Sequence, residues 1–245
     1  MRIPRKTFIL PSAFTAGNLF CGFFSGICAI RGDLDTACWL IVVAAVLDFI
    51  DGKVAMISNT ASAFGIELDS LADLISFGMA PGIIMYQLFL RNHGEWSWLV
   101  SFLFVLCGAL RLARFNVESK GPEKNVFKGL PIPMAAVALI SFIPFSKTPF
   151  FQSFLTNFNY GRLLVLMILL LAGLMVSNVE YPAMPRFGLR TFKDRVGLLL
   201  FTAGILGLVY YWEMLLFPAA CFYILWGFGR AILLGVASRI PEKND

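Results

Sequence analysis

Four aspartates stand out because of where they lie. The run Asp48-Phe-Ile-Asp51-Gly52-Lys53-Val-Ala55 is followed, after a short gap, by Gly65-Ile-Glu-Leu-Asp69-Ser-Leu-Ala-Asp73, and apolar sequence surrounds both. Asp48 and Asp51 are three residues apart and Asp69 and Asp73 are four apart. In helical conformation each pair therefore shares one face, a turn apart. An aspartate facing the centre of a bilayer costs roughly 2.5–3.5 kcal/mol, so four unpaired ones would cost about 10 kcal/mol or more. They must face water, cations or each other. Carboxylates packed closely repel unless a multivalent cation neutralises them, and a donor set made only of oxygen favours a hard ion such as Mg²⁺, Mn²⁺ or Ca²⁺. Two other readings compete: a buried polar network that only joins helices, and a path for ions or protons. A path would place carboxylates near the midplane or in a file across the membrane, whereas these are gathered on one side.

The elements that carry the aspartates are membrane helices. Of the 245 residues, 58% are hydrophobic and 14% charged, against about 25% charged in a soluble domain. Thr7 to Ile30, Leu74 to Leu90, Gly129 to Ser146, Leu163 to Val179, Val196 to Trp212 and Met214 to Gly229 contain no Asp, Glu, Lys or Arg. Each approaches the ~20 residues that cross a bilayer. The pattern predicts an all-α, polytopic transmembrane bundle of about eight spans, near 10–30, 36–57, 64–90, 96–115, 130–146, 162–178, 196–212 and 214–235. The apolar stretch after Met1-Arg2-Ile3-Pro4-Arg5-Lys6 is too long for a cleaved signal and reads as a retained first span.

With both termini in the cytoplasm, only Arg31, Arg91, Lys147 and Arg162 of the 20 basic residues fall outside. This positive-inside bias supports the orientation and the even span count. The second and third spans then form a hairpin turning around Asn59 to Ala63 on the cytoplasmic side, which brings the two aspartate pairs to similar depth. Gly52, Ala55, Gly65, Ala72, Ser76 and Ala80 share the acidic stripes and allow close approach of a helix or a bulky ligand. The five cysteines form no metal-like cluster and read as small apolar residues. The net charge of +5 flanks apolar spans and forms no nucleic-acid patch. The single histidine, His93, falls in an external turn and offers no nucleophile. Residues 1–245 read as one membrane-embedded domain, with a core over about 10–178 and two further spans over about 196–235.

The pattern Asp-x2-Asp-Gly-x2-Ala followed by Gly-x3-Asp-x3-Asp, running from Asp48 to Asp73, closely resembles the signature of the CDP-alcohol phosphatidyltransferase family. One departure is Met56, where many members have arginine; Lys53 lies nearby. Other features are similar to the serine-using branch of that family: Asn18-Leu-Phe-Cys-Gly22, Asp69 to Gly78 with Ala80-Pro81, Arg111-Leu-Ala-Arg114-Phe-Asn116, Phe127 to Pro133, and Leu174 to Ser177 ahead of Tyr181-Pro182.

The resemblance implies transfer of the phosphatidyl group from CDP-diacylglycerol to L-serine, giving phosphatidylserine and CMP, by direct displacement without a covalent intermediate. It implies divalent ions, Mg²⁺ or Mn²⁺ and two in number, held by Asp48, Asp51, Asp69 and Asp73, with Asp73 also taking the acceptor's proton. CDP-diacylglycerol would meet Asn18, Gly52, Lys53, Ala55 and Gly65. Arg111, Arg114, Asn116 and Lys128, on the same side, are candidates for the acceptor; Arg111 and Arg114, three apart, could clamp a carboxylate or phosphate. A homodimer in the cell membrane, its active site facing the cytoplasm, is implied as well. Glycerol phosphate, inositol phosphate or choline as acceptor keeps the same chemistry, and an Asp-lined cation transporter is the reading from another class.

Overall fold

A computed structural model describes residues 9–58, 62–92, 94, 96–118, 126–154, 160–182 and 210–237. The chain runs through α1 (Ile9–Ile30), α2 (Leu34–Ser58), α3 (Ala63–Asp73), a π-helical turn (Leu74–Met79) and α4 (Ala80–Leu88). Then follow α5 (Trp98–Glu118), β1 (Val126–Lys128), α6 (Ile132–Lys147), the short α7 (Pro149–Phe154), α8 (Tyr160–Val176), β2 (Glu180–Pro182) and a C-terminal α9 (Trp212–Ala237).

This is a helical membrane protein. Among the described residues four segments are long and apolar enough to cross a bilayer: Ala13–Ile30, the continuous Ala63–Leu88, Trp98–Glu118 and Trp212–Ala231. Helix α2, at 25 residues, is long enough as well, but it carries Asp35, Asp48, Asp51 and Lys53. Helices α6 and α8 are apolar and shorter, at 16 and 17 residues. Seven of the eight expected spans thus coincide with helices. The one near 196–212 lies almost wholly outside the described residues.

The packing is organised around α1 and α6. Helix α1 lies along α2 and also touches α3, the π turn and α4, while α6 contacts α2, α8, the π turn and α9. The core between them is built from small and branched residues, among them Ala37, Ile41, Ala44, Ala135, Ala136, Leu139 and Ile140. Close helix contact in a bilayer depends on such packing, since lipid tails are as apolar as the side chains they compete with. Outward-facing Phe20, Phe23, Phe102, Leu110, Phe222 and Trp226 are exposed, as a lipid-facing surface requires.

Two local features depart from a bundle of plain α-helices. The third span is not α-helical throughout: Leu74–Met79 forms a π turn in which the Ala80 N–H reaches back to the Ile75 carbonyl. Pro81 supplies a physical reason, because in α geometry its ring would clash with the carbonyl four residues earlier, and a wider turn relieves that conflict. The second feature is a small antiparallel ribbon in which Phe127 pairs with Tyr181 and Lys128 with Glu180. Neither strand is apolar or long enough to be read as one from periodicity. Both lie in stretches that resemble the family's serine-using branch.

The ribbon has a job in positioning. Gly129, at φ +78°, turns the chain out of β1 with its N–H bonded to the Val179 carbonyl at 2.8 Å. A Cβ there would lie 2.2 Å from the Met175 carbonyl oxygen. Leu130 N–H then bonds the Leu174 carbonyl at 3.0 Å, and Pro131 caps α6 with Pro133 in its first turn, where a missing N–H is harmless. The start of α6 is thereby fixed against the end of α8.

Candidate active site

The acidic pairs are carried by α2 and α3 and line one cavity. Ser62 caps α3, its Oγ accepting from the Gly65 N–H at 3.0 Å, as an N-cap serine should. Helix α3 sets Asp69 and Asp73 alongside Asp48 and Asp51. One carboxylate oxygen each from Asp48, Asp51 and Asp69 lies within 4.8 Å of the others, and the Asp48 and Asp73 carboxyl groups are in hydrogen-bonding range. All four carboxylates therefore meet in one place.

Asp51 and Asp73 are buried, at 5% and 8% exposure. Thr15 Oγ1 donates to Asp51 Oδ2 at 3.0 Å, and Asn18 Nδ2 donates to Asp73 Oδ1 at 3.2 Å. Asp69 Oδ1 is buried and has no hydrogen-bond partner. Among the described residues no basic side chain forms an ion pair with any of the four. Four carboxylates without a paired cation, one with an orphaned buried oxygen, form an oxygen-only donor set of the kind that hard divalent ions take.

The carboxylates line one wall of a cavity of about 340 Å³, together with Phe49, Gly52, Lys53, Ser70, Arg111, Leu112, Phe115, Pro131 and Pro133. A Cβ added at Gly52 would meet nothing within 4 Å, so that position opens onto free space. Lys53 is exposed, with Nζ 5.4 Å from the centre of the Phe49 ring. Arg111, 7% exposed, lines the same cavity, within electrostatic reach of Asp73 and 5.9 Å from the Phe115 ring centre. Its Nε is buried without a partner. A buried guanidinium with an unused N–H can receive an anion.

Of the other residues singled out by sequence, Asn18, Gly65, Arg114, Asn116 and Lys128 are not among the described residues that line this cavity. Arg114 donates to the Val176 carbonyl at 3.2 Å, the Ser177 carbonyl at 3.1 Å and Asn178 Oδ1 at 3.3 Å, tying α5 to the end of α8. Asn116 Nδ2 donates to Ser70 Oγ at 3.0 Å and Glu67 Oε2 at 3.4 Å, joining α5 to α3. Lys128 is exposed and pairs with Glu118 at 3.4 Å. Gly65 is the capped first-turn residue of α3, and Ala55 lies in the last two turns of α2. Asn18 is wholly buried behind Asp73. Sequence reasoning missed Thr15; its spacing of three from Asn18 on an otherwise apolar helix was the available signal.

Fold and site define a helical membrane protein with an acidic, oxygen-only cation site at one end of its bundle, beside a buried arginine. The chain belongs to the CDP-alcohol phosphatidyltransferase family, whose sequence profile matches residues 8–179. It is 43% identical over 176 residues to the CDP-diacylglycerol–serine O-phosphatidyltransferase of Helicobacter pylori, covering 71% of this chain and 72% of that one. It is 38% identical to the archaetidylserine synthase of Methanothermobacter thermautotrophicus, over 74% and 73% of the two chains. A CDP-diacylglycerol–serine O-phosphatidyltransferase of Bacillus subtilis is 34% identical, over 71% and 89%.

Proposed function

We propose that this chain is a membrane enzyme that transfers the phosphatidyl group of CDP-diacylglycerol to L-serine, yielding phosphatidylserine and CMP. The observation that carries the reading is the meeting of Asp48, Asp51, Asp69 and Asp73 in one cavity with the buried Arg111. The names of the relatives support serine as acceptor: they differ in the lipid and have serine in common.

Asp48, Asp51, Asp69 and Asp73 would hold divalent cations, Mg²⁺ or Mn²⁺ and two in number, supplying charge neutralisation at the diphosphate as CMP departs. The chain's own groups do the rest. Gly52, Ala55 and Gly65 leave room for the cytidine, and Lys53 lies at the mouth for the nucleotide's phosphate. Arg111 takes the serine carboxylate through its fork of N–H donors, with Asn116 and Lys128 on the acceptor side of the mouth and Arg114 holding α5 to the end of α8. Asp73 accepts the proton of the serine hydroxyl while that oxygen attacks the lipid-side phosphorus. The new P–O bond forms as the bond to the CMP oxygen breaks, and the electron pair leaves with CMP. A carboxylate can serve in this way when held within hydrogen-bond reach of the hydroxyl.

The positive-inside bias supports a cytoplasmic active site with both termini on that side, and the family resemblance supports a homodimer of single-domain subunits. The test is CMP release from CDP-diacylglycerol in mixed micelles with serine, glycerol phosphate, inositol phosphate or choline, with products weighed by mass spectrometry. Serine should stimulate release and yield phosphatidylserine. Release no faster with serine than with buffer alone would overturn the reading, and stimulation by another alcohol would reassign the acceptor.

A further inference from the structure

Helix α1 stands behind the carboxylates and braces them. Thr15 and Asn18 share one face of α1, and each donates to one aspartate, Thr15 to Asp51 and Asn18 to Asp73. Asn18 is 0% exposed and does not line the cavity. A molecule in the cavity meets Asp73, and Asn18 lies beyond it.

Asn18 also holds the backbone that follows Asp73. Its own carbonyl accepts from Ser76 Oγ at 2.9 Å, and Ser76 belongs to the π turn that begins at Leu74. One turn further along α1, a Cβ on Gly22 would lie 2.5 Å from the Ser76 Cα. The two backbones therefore meet with no side chain between them, and only this closeness lets Asn18 reach both Asp73 and Ser76. Because a carboxylate offers only acceptors, the amide must turn its NH₂ toward Asp73. Asn18 Oδ1 is then left buried without a donor. Native structures seldom leave such an acceptor unpaired, and where they do a role other than stability is the usual reason.

We propose that Asn18 is a positioning residue for the transfer: it fixes the Asp73 carboxylate at the angle needed to take the acceptor's proton, and does not itself touch CDP-diacylglycerol. The inference rests on the reading of Asp73 as the proton acceptor. From sequence alone Asn18 is grouped with the CDP-diacylglycerol contacts; its burial behind Asp73 assigns it this other task.

The test uses full-length wild type, Asn18→Ala and Ser76→Ala, purified in detergent, with CMP release followed at varied CDP-diacylglycerol and serine. Loss of a hydrogen bond that orients a ligating or reacting group lowers function about 10–100-fold, so the kcat of Asn18→Ala should fall by that factor. Its KM for CDP-diacylglycerol should move less than about threefold, the pattern of an interaction needed only in the transition state. Mn²⁺ binding without substrate, read by electron paramagnetic resonance, should weaken about tenfold. Ser76→Ala should give the same split at smaller size, and it reports on the brace even where Asn18→Ala is not recovered folded. A raised KM at unchanged kcat in Asn18→Ala would make Asn18 a substrate contact and overturn the inference. So would wild-type kcat and Mn²⁺ affinity in both variants. Wild type inactive on CDP-diacylglycerol with serine would defeat the functional reading and this inference with it; an active wild type confines any failure to Asn18.

Discussion

At the scale of single residues, the four aspartates differ in what surrounds them. Asp73 is held from behind by Asn18 and faces Asp48, which suits a group that must present one oxygen to a hydroxyl. Asp73→Asn keeps the shape and removes the base, so kcat should fall ~10²–10⁴-fold with thermal stability little changed, measured by CMP release and by melting in detergent. Arg111 is distinguished from Arg114 by its partners. Arg114 is committed to the end of α8, whereas Arg111 keeps a buried Nε–H unused. A hydrogen bond to a charged group is worth about 1.5–3 kcal/mol, so Arg111→Gln should raise the KM for serine roughly 10–100-fold and leave that for CDP-diacylglycerol nearly unchanged. Arg114→Gln should chiefly lower stability. Dialysis against EDTA should abolish CMP release, and Mg²⁺ or Mn²⁺ should restore it; full activity of the metal-free protein would remove the reason for gathering four carboxylates.

At the scale of elements, the site depends on close contacts that glycine alone permits. Gly22 sets the distance from α1 to the π turn, and Gly129 sets the α8 carbonyls against the start of α6. Gly129→Ala forces a left-handed residue and a clash with the Met175 carbonyl, a combined cost of about 2–4 kcal/mol. It should melt several degrees below wild type and lose activity through displacement of Pro131 and Pro133. Unchanged melting would show that the ribbon does not set the start of α6. Helix α9 lies beyond the family-matched stretch, yet it packs on the same framework: Tyr223 stacks on Tyr181 at 5.7 Å, and Gly227 sits against the Tyr181 ring. The C-terminal span therefore braces the ribbon at Tyr181.

For the whole molecule, the two ends of the bundle have different tasks. The ends of α2, α3 and α5 and the start of α6 converge on the acidic cavity. At the other end, Lys147 and Asp35 form an exposed ion pair at 2.6 Å and Trp39 packs on Trp212, side chains suited to a membrane–water boundary. A transporter would carry ionisable groups along the bundle between these ends; among the described residues the buried charged side chains, Asp51, Asp73 and Arg111, all lie at the cavity end. The proposed orientation predicts that Lys128→Cys reacts with an impermeant maleimide only after cells are permeabilised, whereas Arg91→Cys reacts in intact cells. The reverse pattern would invert the topology.

The sequence by itself determined the apolar spans and the two acidic pairs. Hydrophobicity, i to i+3 and i+4 spacing and loop charge are local properties of a chain in a bilayer and need no knowledge of neighbours. The all-helical reading accounted for every described α-helix except the short α7 and left the π turn and the ribbon unforeseen. A π turn answers a clash at Pro81, and the ribbon joins segments more than fifty residues apart. Only the tertiary structure decided that Arg111 faces the cavity while Arg114, three residues on, holds α8. It alone set Thr15 and Asn18 behind the carboxylates. Which of two polar groups on one helix meets a ligand depends on the helix packed across from it, and that partner is chosen by close contact between distant stretches of chain.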